Sequence, residues 1–539
     1  MSAGQDVDVL VVGAGPTGLT AALQAHAHGA SVRVVERRPV GPRPSRAMIL
    51  HPRTLESLRP LGVTEPLLAR SGGTPRAEVH LGRRRVDVAL GEVAWAATPY
   101  PHLTMLRQAD VEAALAHALR ERGVEVEYGV ELLTAATGPG AARATLHTHA
   151  GVEQVACRFL AGCDGPASTV RRAAGIGWRG RAYRQEVVLA DLELTGDLTP
   201  GVLHVVVARS GLVFLFALGE GATWRLLATR PARRDGAPFG QPGDRVPAAE
   251  VREILGASGL GADLAELRWS AQVPLQHRMA ASFRHGRLFL AGDAAHAHSP
   301  GAAQGMNTGI LDAVNLGWKL ALADDEDHDE KQGDLLASYA AERRPVARQV
   351  LALTHAVFFG EASTRALPAL LRGRLVPLAA PIVPLVAHER HLMGLVVRLL
   401  SQDWVHYRHS PLSVAGSAAP GRPRPGDHLP DREVSVDGRR TRLHTLVASP
   451  GIHLLLDRDA QRPHDGSLAA HVAVHRIESW AGRGVVAVRP DGYVGLVSGT
   501  ADRSTVDDWL SRAGARPRTS SPHGPGATLP DDGRAATLA

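Results

Sequence analysis

The spacing of apolar and polar positions changes several times along the chain, and each change predicts an element. Val7 to Val12 alternates and then fills with apolar residues, as a strand buried on both faces does. It meets Gly13-Ala-Gly15-Pro16-Thr17-Gly18, after which a helical pattern runs through Leu19, Ala22, Leu23 and His26. A second apolar strand, Val32 to Val35, ends in Glu36. Two β-like runs between Ala77 and Leu90 flank Gly82 to Arg85; a helix is predicted over Asp110 to Arg122, and strands over Val124 to Leu133 and Ala142 to Val155. From Gln185 to Arg230 the period becomes that of β-structure, with runs at Val187 to Leu194, Val202 to Val207, Leu212 to Leu218 and Trp224 to Thr229. Leu288 opens a short buried strand that turns at Gly292-Asp293, and a helix starts beside Gly305. Further helices are predicted over Leu335 to Val350 and, with proline breaks, over 351–410. A Pro-, Gly- and Arg-rich linker covers Pro420 to Pro430, strands follow at His453 to Leu456 and Val485 to Val488, and Arg516 to Ala539 has the composition of a disordered tail.

Length and composition narrow the classes. A chain of 539 residues with 44% hydrophobic content is too long for one core and suits two or three globular domains. The formal charge is only +6, Lys319 and Lys331 are the only lysines, and the arginines are scattered without interleaved aromatics, so no nucleic-acid partner is expected. Cys157 and Cys163 are too few for a disulfide framework and lie in no metal-ligand pattern, so no metal centre is expected. The N-terminus lacks a secretory pattern, and the most apolar window, Leu375 to Ala387, is broken by Pro377, Pro381 and Pro384. A cytoplasmic protein without a membrane span is the expectation, and a homodimer is compatible with it.

The stretch from Val7 to Glu36 carries the first chemistry. Strand, GxGxxG, helix, strand and an acid about 20 residues on form the dinucleotide fingerprint in its demanding form. Gly13 and Gly15 permit the tight turn and close pyrophosphate approach, Gly18 lets helix pack on strand, and Glu36 would bond ribose hydroxyls. At Gly305 a second helix start follows flexible backbone; its free N–H groups and positive dipole end suit an anion or the electron-rich edge of a ring.

Three further stretches carry a resemblance. Arg43-Pro-Ser45-Arg46 runs on to Arg53 and Glu56; Phe159 to Asp164-Gly165 leads into Ser168-Thr-Val-Arg171; and Gly292-Asp293 with His296, Pro300, Gln304-Gly-Met-Asn307, Asp312 and Lys319 forms a dense third block. The chain resembles the class A flavoprotein aromatic hydroxylases, single-component FAD monooxygenases, and most resembles the branch that tailors aromatic polyketides in actinomycetes. The resemblance implies an α/β fold with a Rossmann-like FAD domain of para-hydroxybenzoate-hydroxylase type, an inserted antiparallel substrate sheet and a thioredoxin-like C-terminal domain. Its expected bounds are 1–175 with 276–410 for the FAD domain, 176–275 for the substrate domain (77–100 adding strands to it), 411–515 for the thioredoxin-like domain and 516–539 for the tail. That last domain has no Cys-x-x-Cys, so no redox role is expected of it.

By the same resemblance the cofactor residues are Gly13, Gly15, Pro16, Thr17, Gly18, Glu36, Arg37, Arg46, Gln108, Asp164, Asp293, Pro300, Gly305, Met306 and Asn307. Pro300 would lie at the reactive face of the flavin, with Arg46 the other candidate catalytic contact. Phe214, Phe216 and His277 are candidates for the substrate pocket, although the two phenylalanines also suit core packing. The implied activity uses FAD, NADPH or NADH, and O₂ to hydroxylate an aromatic small molecule through a flavin C4a-hydroperoxide. A Baeyer–Villiger oxygenase on the same scaffold is the alternative; a halogenase is disfavoured because no tryptophan forms Trp-x-Trp-x-Ile-Pro. The chain departs from the family at Gly301-Ala302-Ala303, where a glycine usually precedes Gln-Gly, and at Leu311, where glutamine is common. Alanine tolerates positive φ poorly, so an altered turn is expected there.

Overall fold

Val9, Leu10 and Val11 have no solvent exposure, because the strand Val7–Val12 is paired on both edges and covered on both faces. Its neighbours, Val32–Glu36 and Gly151–Gly162, run parallel to it, and Leu288–Leu290 and Val126–Tyr128 extend the same parallel sheet outward. Parallel strands covered by helices carry near-continuous apolar runs, which is why this sheet was readable from the sequence. The computed structural model describes residues 6–41, 48–71, 76–81, 84–89, 95–199, 201–208, 211–217, 222–232, 243–299, 303–324, 334–362, 389–417, 423–462 and 469–515. Arg46 and Pro300 therefore lie outside the described residues, as do 301–302, 325–333, 363–388 and 516–539.

The helices Pro16–Ala27 and Gln304–Leu322 cross at very close range, and glycine makes this geometry available. A Cβ at Gly317 would stand 2.6 Å from Gln24 Cβ and 2.8 Å from Ala21 O; one at Gly309 would collide with Thr17 Oγ1. Trp318, fully buried beside this crossing, fills the space behind it. The helix Asp334–Ala362 continues through Pro345 and reaches beyond the Val350 expected from the sequence. The helix expected at Asp110 starts at Gln108 and ends at Arg120, with Arg107 as its N-cap residue.

A second, eight-stranded sheet stands apart from the first. Its order is His296–Ala297, Ala262–Ala280, Trp178–Gly196, Trp224–Pro231, Gly211–Phe216, Val202–Ala208, Arg76–Leu81 and Arg84–Ala89. Every pairing is antiparallel except Val202–Ala208 with Arg76–Leu81. The hairpin 76–89 thus joins this sheet from far away in the sequence. Side chains alternate between its faces: Leu203, Phe216, Leu227 and Val273 pack on one side, and Ala190, Val206, Leu215 and Leu226 on the other. A third sheet, in the order Val414–Ala415, Val494–Ser498, Val485–Val488, Ile452–Asp457 and Val472–Ile477, is packed by the helix Arg503–Arg512 through Trp509.

Several of the described histidines are buried as neutral groups. Burial holds the pKa of His28, His51 and His453 down at about 4, from an ordinary 6.5. Between those values the unfolded chain binds more protons than the folded one, so stability falls as pH drops from 6.5 toward 4, by up to about 3 kcal/mol per group. The midpoint of urea unfolding is expected to fall steadily between pH 7 and pH 4.5; a midpoint that stays level over that range would contradict neutral burial.

Candidate cofactor and substrate site

One cavity, of about 450 Å³, joins the two large sheets. At one end stand Gly15, Pro16 and Thr17; its wall continues through Cys163, Gly165 and Asp293 to Ala303, Gly305 and Met306. The far end is Leu203, Leu212, Phe214, Phe216 and Leu227 of the second sheet, with Met48, Leu103, Phe358 and Leu400 around it. The first end lies beyond the carboxyl ends of parallel strands, where open α/β sheets bind their ligands.

The glycines of the first turn divide their labour. A Cβ at Gly13 would meet Cys163 O at 2.5 Å, and one at Gly18 would collide with Gly13 O, so these two serve internal packing. A Cβ at Gly15 meets nothing within 4 Å, and none of its neighbours needs the space; it faces the cavity. Gly165 is equally open and has φ +77°, while Gly305 has only His298 Cε1 at 3.8 Å. These three form a backbone-lined cradle. Glu36 does not stand free: it accepts hydrogen bonds from Ala14 N and Arg38 N, both at 2.9 Å, and Arg38 Nε lies 3.1 Å away. Burial alone would raise its pKa, but these Arg38 and Ala14 contacts hold it below the ordinary carboxylate range. Arg37 is exposed at the strand end, so Arg38, missed from the sequence, is the arginine that engages this corner.

The second and third fingerprints are bolted together by Arg171. Its guanidinium donates to Ala294 O at 2.8 Å and Pro166 O at 2.7 Å and lies 4.0 Å over the Trp178 ring. Asp164 Oδ2 accepts from Thr169 N and Val170 N, whereas its Oδ1 is buried without a partner, and burial raises its pKa. Both ring nitrogens of buried His51, on the cavity wall, also lack partners. Such orphaned polar atoms beside an open backbone cradle fit a polar cofactor. Asp293 is exposed into the cavity, and Gln108 lines it while its amide donates to Glu112 Oε1 at 2.8 Å.

Ala303 adopts φ +51°, ψ +37° as the residue before the helix Gln304–Leu322. Ala303 thus holds a left-handed conformation that glycine adopts more readily, at a cost of roughly 1 kcal/mol. Asn307 compensates locally: its amide donates to Ala303 O and Ile49 O, and its oxygen accepts from His51 N and Thr54 Oγ1, all between 2.7 and 2.9 Å. Its side chain is committed to holding the 49–54 strap against the helix, leaving the backbone N–H groups of the first turn to face the cavity.

At the other end, Phe214 and Phe216 stack at 6.0 Å on the cavity face of their strand while also packing in the core beneath it. His277 is not a lining residue; it sits behind Phe358 in a polar cluster. Tyr183, edge-on to Phe358 at 5.0 Å, has its hydroxyl 3.1 Å from His355 Nδ1 and 3.4 Å from His277 Nδ1. Burial raises the Tyr183 pKa and, with the neighbouring His355, lowers that of His277. Tyr183 and His355 were not singled out from the sequence, since no motif joins residues 94 and 172 positions apart.

Residues 6–354 match the family model described as an FAD binding domain. The chain belongs to the class A flavoprotein hydroxylases of this FAD-binding family. It is 37% identical over 431 residues to the 6-methylpretetramide 4-monooxygenase of Streptomyces rimosus, covering 77% of this chain and 72% of that one. Its fold matches the anhydrotetracycline hydroxylase of Streptomyces rimosus with a TM-score of 0.74 at 27% identity, over 95% of this chain and 99% of that one. A Diels–Alderase of pyrroindomycin biosynthesis matches with a TM-score of 0.70 at 25% identity, over 94% and 98%. The class A scaffold therefore also occurs in a protein named for a cycloaddition. Among the described residues no helix is long and apolar enough to cross a membrane.

Gly15 and Gly18 are expected to respond oppositely to substitution. Gly15→Val should leave the unfolding midpoint near that of the parent while lowering FAD affinity at least tenfold, because the new side chain fills the cradle. Gly18→Val should unfold the protein by its backbone collision. Fluorimetric FAD titration and thermal melts check both, and undiminished FAD binding in Gly15→Val would remove the cradle assignment.

Proposed function

We propose that this flavoprotein uses NAD(P)H and O₂ to hydroxylate an aromatic, polyketide-type small molecule. The observation that carries the reading is the continuity of the cavity, from a glycine cradle to a wall of Leu203, Leu212, Phe214, Phe216 and Leu227. FAD, when bound and reduced, supplies the oxygen-activating chemistry; the protein contributes position, dryness and charge. Gly15 and Pro16, at the start of the helix Pro16–Ala27, would hold the diphosphate against free N–H groups. The first turn at Gly305 and Met306 would face the edge of the ring, where the helix dipole favours negative charge. Asp293, open to the cavity, is suited to the hydroxyls between them.

The apolar wall fits a flat fused-ring substrate and keeps water from the reacting edge. Tyr183, His277 and His355, all half-buried, would relay a proton from the cavity edge behind Phe358 to solvent, as the ionisation of a phenolic substrate requires. The order of the third sheet, with Ile452–Asp457 between a parallel and an antiparallel neighbour, supports the thioredoxin-like reading of the C-terminal region.

The purified protein should be yellow and should consume NAD(P)H faster when substrate is present. With ¹⁸O₂ and an anhydrotetracycline-type phenol, one labelled oxygen should enter the product. NMR would reveal a lactone or ester if the oxygen is inserted beside a ketone, and a product without label would overturn the oxygenase reading in favour of a non-oxidative scaffold. Tyr183→Phe should retain FAD, lower kcat about tenfold to a hundredfold and shift the pH profile of kcat; an unchanged profile would remove the relay.

A further inference from the structure

Glu78, His80 and His204 come together on the face of the second sheet turned away from the cavity. Glu78 and His80 share one face of Arg76–Leu81 by their spacing, and His204 stands directly opposite Glu78 in the parallel pairing. Leu203, next in sequence to His204, points to the other side and lines the cavity. All three polar side chains are buried, with Glu78 7% exposed.

The distances among their free atoms are those of a coordination shell. His80 Nε2 lies 3.1 Å from His204 Nδ1 and 3.1 Å from Glu78 Oε1, and His204 Nδ1 lies 3.8 Å from Glu78 Oε1. A point equidistant from the three atoms in their plane is roughly 2.0 Å from each, against zinc–nitrogen and zinc–oxygen bonds of about 2.0–2.2 Å. An ion slightly above the plane would see three corners of a tetrahedron.

The surroundings agree. His204 Nε2 stands 3.2 Å from Thr199 O, so a proton there donates to the carbonyl and leaves the Nδ1 lone pair aimed at the cluster. Hydrogen bonding within the histidine pair leaves Glu78 Oε1 buried with no hydrogen-bond partner. Arg85 Nε is 3.6 Å from that oxygen, beyond hydrogen-bond reach, on a side chain 52% exposed that can turn to solvent.

We propose that Glu78, His80 and His204 bind a divalent transition metal of the zinc class, with water as the fourth ligand, fastening the hairpin 76–89 to the substrate sheet. Two imidazoles and a carboxylate select zinc-like ions over magnesium or calcium. Because the site faces away from the cavity, its role is to hold the wall behind Leu203 in place. Ligands drawn from residues more than a hundred positions apart close a long loop, so the metal acts as a cross-link.

Full-length, FAD-loaded protein, stripped with EDTA and titrated with zinc against a chromogenic chelator, should bind one tight equivalent and melt at a higher temperature with it. Glu78→Gln, nearly isosteric, and His204→Ala should each weaken this equivalent at least tenfold, whereas His147→Ala, at an exposed position, should not. FAD content reports folding in every variant. Should His204→Ala fail to fold, X-ray absorption of the zinc-loaded parent decides: a nitrogen and oxygen shell with imidazole scattering supports the site. Absence of a tight equivalent, an unchanged affinity in Glu78→Gln, or a shell without imidazole would overturn the proposal.

Discussion

A row of buried charges along the helix Gln304–Leu322 is the constraint on which the arrangement of the three sheets depends. Asp312, Asn315 and Lys319 fall on one stripe by their three- and four-residue spacing. Asp312 accepts from Arg343 Nε and His296 Nε2, both at 2.6 Å, and from Gly292 N at 3.1 Å. Burial would raise its pKa, yet Arg343 and His296 hold it below its ordinary value. Two turns on, Lys319 Nζ donates to Glu342 Oε2 at 2.7 Å, and Arg489 of the C-terminal region bridges Glu342 and Asp491. Burial lowers the Lys319 pKa to about 8, while Glu342 offsets part of that shift. Removing one member would strand its partners in a dry interior, a cost of about 3–5 kcal/mol.

This row explains how the cavity keeps its shape. The Asp312 contact to Gly292 N fixes the turn that carries Asp293, and its contact to His296 fixes the strand that pairs with Ala262–Ala280 of the second sheet. The Lys319 end ties the same helix to the C-terminal sheet. One helix therefore positions the cradle at its N-terminus, the substrate sheet at its flank and the third sheet at its far end. The apolar wall can then be built of ordinary core residues, because ion pairs elsewhere set its distance from the cradle.

The substrate sheet uses its two faces differently. Toward the cavity it shows leucine and phenylalanine; on the other face a helix and the Glu78–His80–His204 cluster hold its strands. Phe214 and Phe216 illustrate why the sequence left two readings open: the same side chains close the core beneath them and line the cavity above. His277 illustrates the reverse, since a residue expected at the pocket stands one layer behind it, in contact with Tyr183 and His355.

Sequence by itself determined the elements whose signals are local. The strand–glycine–helix unit at 7–36, the turn at 288–305 and the β-runs of 187–229 follow from apolar periodicity and from glycines that only certain backbone geometries require. Ala303 was legible as an anomaly, though only the fold showed that it takes a left-handed conformation and that Asn307 hydrogen-bonds its carbonyl. What joins particular distant side chains was decided by tertiary structure: Arg38 at Glu36, Arg171 across to Ala294, the parallel register of 76–81 beside 202–208, and the histidines around Tyr183. The physical reason is range, because periodicity reports which face of an element is buried and carries no information about which partner will be buried against it.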